Sequence, residues 1–164
     1  MSGPCAITFV VNGAAVTHEV PPLARLLDVL REHCGLTGAK EGWGEGECGA
    51  CSVIMSGELV NSCLVPAIQA DGTSITTIEG LAAPDGTLHP MQQAFITCGG
   101  AQCGICTPGM ILAAVDLLAR VPQPTELELR EGLAGNLCRC TGYTRIFDAV
   151  RMDAQTPIHA SAAP

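Results

Sequence analysis

Apolar residues alternate along the start of the chain. After Pro4, Ile7, Phe9 and Val11 share one face of an extended segment and Thr8 and Val10 the other, the period-two pattern of a half-buried strand. Asn12-Gly13 then carries the strongest short hairpin signal, and residues 14–20 return as a second strand. Pro21-Pro22 stops the ladder. From there the period changes. Leu23, Leu26, Leu27 and Leu30 follow i, i+3, i+4, i+7, which predicts a helix over 23–34 that Gly35 closes.

Residues 38–49 have no such pattern. Five glycines stand among twelve positions, with Glu41, Glu45 and Glu47 between them. Such a loop brings its backbone close to something, because glycine tolerates positive φ and tight approach at least cost. Strand character resumes over 51–55, Ser56-Gly57 turns it, and 60–65 with 74–78 complete a sheet of four or five short strands. Residues 80–87 are turn-rich and read as a linker.

Beyond His89-Pro90 the periodicity is helical. Helices are predicted over 91–98, over 109–120 behind a Thr107 cap and Pro108, over 125–133 behind a Thr125–Glu128 capping box, and over 144–152. The last twelve residues are rich in Ala, Pro and Ser and read as a tail. The expected architecture is α+β. A sheet domain spans 1–80, a linker 81–88, a four-helix domain 89–152 and the tail 153–164.

Composition narrows the class. Eight Lys and Arg against sixteen Asp and Glu give a formal charge of −8, so no basic surface is available for phosphates and nucleic-acid binding is not expected. No apolar run is long enough to span a membrane. The first residues lack the basic and apolar regions of a secretory signal, so a reducing, cytoplasmic setting is expected. A chain of 164 residues buries enough surface to fold without covalent staples, yet ten residues are cysteine. In a reducing compartment these read as metal ligands or redox groups before disulfides.

Seven of the ten fall into patterns. Cys103-Gly104-Ile105-Cys106 is followed, after thirty-one intervening residues, by Cys138-Arg139-Cys140. The C-x2-C turn can aim two thiolates at one iron and the C-x-C pair can serve another, from helix ends whose N–H groups favour negative charge. Four thiolates suit zinc and iron–sulfur clusters alike. In the first half stand Cys48-Gly49-Ala50-Cys51 and, further on, Cys63. Plant-type ferredoxin spacing, C-x4-C-x2-C and a distant fourth cysteine, puts the first ligand at position 43. That position is Trp43, whose indole N–H is a donor without a lone pair for iron.

The runs Gly42 to Val53 and Asn61-Ser62-Cys63-Leu64 resemble the plant-type cluster domain of the molybdenum hydroxylase (xanthine dehydrogenase) family. Gln102-Cys103-Gly104-Ile105-Cys106-Thr107-Pro108-Gly109 and Asn136-Leu137-Cys138-Arg139-Cys140-Thr141-Gly142-Tyr143 resemble that family's second cluster domain. A chain of this size is similar to the small iron–sulfur subunit of the bacterial three-subunit members. The resemblance implies a β-grasp ferredoxin domain followed by a four-helix [2Fe-2S] domain. It implies partners too: a large molybdopterin subunit and a medium FAD subunit. By the same resemblance Cys103, Cys106, Cys138 and Cys140 hold the cluster nearest the molybdopterin, and Gln102 and Cys140 lie against the pterin. Cys48, Cys51 and Cys63 match three ligands of the cluster nearer the flavin. Implied electron flow runs from molybdenum through the helical-half cluster and the ferredoxin-half cluster to FAD.

Trp43 interrupts that scheme. The ferredoxin-half cluster could assemble on three thiolates with water, hydroxide or a carboxylate from Glu41, Glu45 or Glu47, or it could be labile or lost. A third reading is an isolated substitution, one base change from cysteine, since the loop glycines and the other cysteines are retained. Tryptophan overpacks a cysteine site at a cost of about 1–3 kcal/mol. A neutral ligand also raises the potential of a cluster. The expectation is therefore a labile or absent ferredoxin-half cluster.

Cys5, Cys34 and Cys98 read as small buried hydrophobes, with Cys34 the one plausible substitute ligand. His18, His33, His89 and His159 fit no ligand spacing, and His89 reads as a helix start. Lys40 is expected to pack or pair locally. No nucleophile–base pair is visible, and a cofactor-bearing electron carrier needs none. A zinc-stabilised interaction module, or a regulatory or assembly paralogue retaining one cluster, are the competing classes.

Overall fold

Ile7, Phe9 and Val11 are buried and Ala6, Thr8 and Val10 exposed along β1 (Cys5–Val11) in the computed structural model, which describes residues 3–156. Asn12 and Gly13 both take positive φ, the turn that matches strand twist, and β2 (Ala14–Val20) returns antiparallel with Val11 opposite Ala14. The Asn12 side chain also reaches across to Thr77, bonding its N–H and its hydroxyl at 2.9 Å each.

The predicted helix over 23–34 is shorter than expected. Leu23 is 83 % exposed, and α1 (Leu26–Asp28) begins after an extended Arg25 and runs on as a π-helical turn, Val29–His33. The cause lies far away in sequence. Residues 22–26 give their backbone groups to 65–68, through Ala67 N–H to Ala24, Ile68 N–H to Pro22 and Leu26 N–H to Val65. The same pairing ends the expected 60–65 strand early. Thus β3 is Ser52–Met55, β4 is Glu58–Asn61, and β5 is Ser74–Thr76, with a 3₁₀ turn at Ile78–Gly80.

The sheet order is β2-β1-β5-β3-β4, with β1 and β5 parallel and the other neighbours antiparallel. One face buries Ile7, Phe9, Val53 and Ile75 against Leu26, Leu27 and Leu30. A second core belongs to the helices α2 (Pro90–Cys98), α3 (Thr107–Arg120), α4 (Glu126–Gly132) and α5 (Thr144–Ala154). The middle of α3 is buried almost all round, as befits a helix at the centre of its half. Leu59, Ile78 and Leu81 pack against this second core, so the two halves share a boundary layer.

Caps follow the sequence with one exception. His89 caps α2, its Nδ1 accepting from Met91 N–H while Gln92 answers the His89 N–H. Thr125 and Glu128 form the capping box of α4. Cys106, not Thr107, occupies the N-cap position of α3, and the buried Thr107 hydroxyl has no hydrogen-bond partner. Helix α5 runs two residues into the expected tail, because Asp153 and Ala154 are buried and Gln123 donates to the Ala154 carbonyl. The rest of the tail from 157, with His159, lies outside the described residues.

Candidate metal centre

The glycine-rich loop is fastened at its entrance by two arginines. Arg31 donates to the Thr37 and Ala39 carbonyls at 2.9 and 2.7 Å, and Arg25 binds Asp28 and Glu41 at 2.8 and 2.9 Å. Lys40 donates to the Thr37 carbonyl. At its exit the loop meets the second half backbone to backbone. A Cβ on Gly109 would strike the Gly49 carbonyl, so only glycine lets α3 start so close. Asn136, buried, donates to the same carbonyl at 2.9 Å and to Ser52 Oγ at 3.2 Å. The Leu137 N–H donates to the Cys48 carbonyl at 2.9 Å.

These contacts bring the second-half cysteines together at one cavity of about 180 Å³, whose wall includes Cys103, Cys106, Cys138 and Cys140 with Trp43 and Cys48. The spacing suggests one motif per iron, and all four sulfur-bearing residues border the same cavity. Burial, then Cys138 and Cys103, push the Cys106 thiol up to about 12. Cys140 is raised chiefly by its hydrogen bond with Cys103. Burial also raises Cys138, but hydrogen bonds from the Thr141 hydroxyl and from backbone N–H groups bring it below the ordinary value.

The loop carrying Cys138 and Cys140 is closed on itself. The Thr141 hydroxyl donates to Cys138 Sγ at 3.1 Å and accepts from Tyr143 N–H at 3.2 Å. The Tyr143 hydroxyl accepts from Cys138 N–H at 2.8 Å and donates to the Asn136 carbonyl at 3.4 Å. Gln102, next to Cys103, is exposed.

The first-half cysteines are arranged differently. Cys51 and Cys63 are buried against each other, and burial first, then Cys63, pushes the Cys51 thiol up to about 11. Cys48 is buried too, but its sulfur faces Gly42, where an added Cβ would lie 2.7 Å away. Trp43 is 57 % exposed. Cys34 lies 3.5 Å from His18, and Cys5 points at the Val20 carbonyl. Among the described residues, no three His, Cys, Asp or Glu side chains already stand in a metal-holding geometry.

Chemistry decides the fit of each set. Four thiols from two motifs, two of them exposed, line one cavity, where burial and neighbouring thiols raise Cys106 and the bond with Cys103 raises Cys140; a thiophilic iron core would supply the positive charge that favours the thiolates. The residues present fit a [2Fe-2S] cluster there. In the first half Cys51 and Cys63 are buried beside each other, and the position of the fourth ligand holds an indole that cannot coordinate. Those residues do not fit a four-thiolate cluster.

Residues 77–151 match the family described as [2Fe-2S] binding domain, which places the helical half among iron–sulfur proteins. The chain is 52 % identical to the nicotinate dehydrogenase small FeS subunit of Eubacterium barkeri, over 86 % of this chain and 89 % of that one. It is 53 % identical to a probable xanthine dehydrogenase subunit of Bacillus subtilis, over 84 % and 78 % of the two chains. Its fold superposes on a chain of quinoline 2-oxidoreductase from Pseudomonas putida 86 with a TM-score of 0.92 and 40 % identity, covering 99 % of this chain and 100 % of that one. Against the aldehyde oxidoreductase of Desulfovibrio desulfuricans the TM-score is 0.88 at 43 % identity, over 96 % of this chain and 17 % of that longer one. The chain belongs to the molybdenum hydroxylase (xanthine dehydrogenase) family, as a small iron–sulfur subunit. It is a non-catalytic subunit of an oxidoreductase complex.

Proposed function

We propose that the chain carries electrons within a molybdopterin-dependent hydroxylase or dehydrogenase, from the molybdenum centre of a large subunit towards FAD in a medium subunit. The observation that carries this reading is the convergence of Cys103, Cys106, Cys138 and Cys140 on one cavity at the surface. A [2Fe-2S] cluster bound there supplies one-electron chemistry. The protein holds it on the four thiols, and exposed Gln102 and Cys140 beside the cavity are the groups available to a pterin in the large subunit. The order of elements supports a β-grasp ferredoxin-like domain over 1–80 and a four-helix domain over 89–152, joined through 81–88. Ten free cysteines support a reducing, cytoplasmic setting.

The ferredoxin-half cluster is labile or absent in this reading. Support comes from Trp43 at the ligand position and from Cys48 facing Gly42 while Cys51 and Cys63 pair with each other. Purification with the partner chains, followed by iron and sulfide assay and EPR, tests both parts. About two irons and two sulfides per chain with one cluster signal are expected, and Trp43→Cys should raise these to about four with a second signal. Four of each in the wild-type chain would overturn the single-cluster reading. A colourless protein holding zinc and no iron would overturn the electron-transfer reading.

A further inference from the structure

We infer that the Thr141 hydroxyl sets the reduction potential of the helical-half cluster by hydrogen-bonding the Cys138 sulfur. The inference rests on the reading that Cys103, Cys106, Cys138 and Cys140 hold a [2Fe-2S] cluster, and it concerns what this chain does to that cluster.

The geometry leaves the hydroxyl one use for its proton. Thr141 Oγ1 already accepts from the Tyr143 N–H at 3.2 Å, and Cys138 Sγ lies 3.1 Å away on its other side. A ligating thiolate is an acceptor only, so the hydroxyl must be the donor. The loop fixes this arrangement from several directions. Tyr143 sits at φ +68°, an unfavourable value for a tyrosine, and its ring packs near Phe147 with centroids 5.9 Å apart. Its hydroxyl holds the Cys138 N–H at 2.8 Å, which fixes the backbone of the residue whose sulfur Thr141 addresses. A threonine placed only to fill space would need none of these.

The direction of the effect follows from charge. Reduction adds an electron whose density spreads over the irons and their thiolates. A hydroxyl dipole with its proton on a ligand sulfur stabilises the reduced cluster more than the oxidised one, so the bond raises the potential. Backbone N–H groups act on a sulfur in the same way, but the Thr141 hydroxyl is the donor that a side-chain substitution removes.

The test is an EPR-monitored redox titration of the complex with wild-type, Thr141→Val, Thr141→Ala and Thr141→Ser chains. Valine keeps the branched shape and deletes the donor. At the wild-type midpoint the reduced fraction of the helical-half cluster should fall about tenfold relative to the oxidised in Thr141→Val, equivalent to about 59 mV for one electron. Thr141→Ala should shift the same way, and Thr141→Ser should stay within about twofold of wild type, since serine keeps the hydroxyl. Unchanged potentials in the valine and alanine variants would overturn the inference. So would equal shifts in serine and valine. Loss of the cluster from both valine and alanine variants with serine intact would make the hydroxyl a support for the loop and also overturn it. A wild-type chain without iron would instead bring down the cluster reading beneath.

Discussion

The carboxamide of Asn136 spans 87 residues of sequence to reach the Gly49 carbonyl, and its second contact is the Ser52 hydroxyl. Both partners flank Cys51, so one buried side chain couples the two sets of cysteines. Deleting it removes one of three donors to the Gly49 carbonyl, which keeps the Ser52 N–H at 3.1 Å and the Ser52 hydroxyl at 2.8 Å. Asn136→Ala is expected to lower stability by about 0.5–1.5 kcal/mol, the net worth of a hydrogen bond whose acceptor keeps other donors, read from the denaturant midpoint of the full chain. An unchanged midpoint would show that water replaces the amide without cost. The same substitution should loosen the start of the 136–143 loop, and cluster retention on gel filtration should fall with it.

Among the elements, α3 and α4 show opposite kinds of dependence on their first turns. Helix α3 depends on an absence: Gly109 has no Cβ because the Gly49 carbonyl occupies its place. Gly109→Ala improves helix propensity yet is expected to destabilise by about 1–3 kcal/mol through overpacking, measured by thermal or chemical denaturation. A gain in stability would mean that the two backbones can separate freely. Helix α4 depends on charge. The Thr125 N–H and hydroxyl hold the Glu128 carboxyl below its ordinary value. A carboxyl depressed in the folded state stabilises above its unfolded pKa, and that contribution disappears as pH falls through the lower folded value. Unfolding midpoints should therefore drop on acidification below about pH 4, and Glu128→Gln, which keeps the capping geometry without the charge, should flatten that drop. Parallel acid curves for both chains would contradict it.

At the scale of the molecule, the sequence is legible where neighbours in sequence decide the structure. The alternation of Ile7, Phe9 and Val11, the Asn12-Gly13 turn and the Thr125–Glu128 box each depend on a few adjacent residues, and each is found as expected. Leu23 departs from its helical periodicity because the backbone of 22–26 pairs with 65–68, a partner no periodicity announces. The cysteine spacings point to residues that the fold gathers at one cavity, yet the gathering itself depends on where α3 and the 136–143 loop are carried by the fold. Asn136 stands inside a legible motif, but its role as a tie to Gly49 is long-range. Because Cys103, Cys106, Cys138 and Cys140 come from segments that the fold alone assembles, iron held by them under the proposed function should stabilise the folded state. Removing iron with a chelator under reducing conditions should lower the thermal midpoint of the full chain by several degrees, and reconstitution should restore it.

Trp43 offers one more consequence. It is the single tryptophan of the chain, and it stands in the wall of the cavity that the four thiols line. Iron–sulfur centres absorb where indole emits, so energy transfer at this separation quenches the emission of a neighbouring tryptophan. Under the proposed function the indole is therefore expected to report cofactor loading, dim with a cluster in the cavity and bright once a chelator empties it, and equal emission before and after chelation would contradict this.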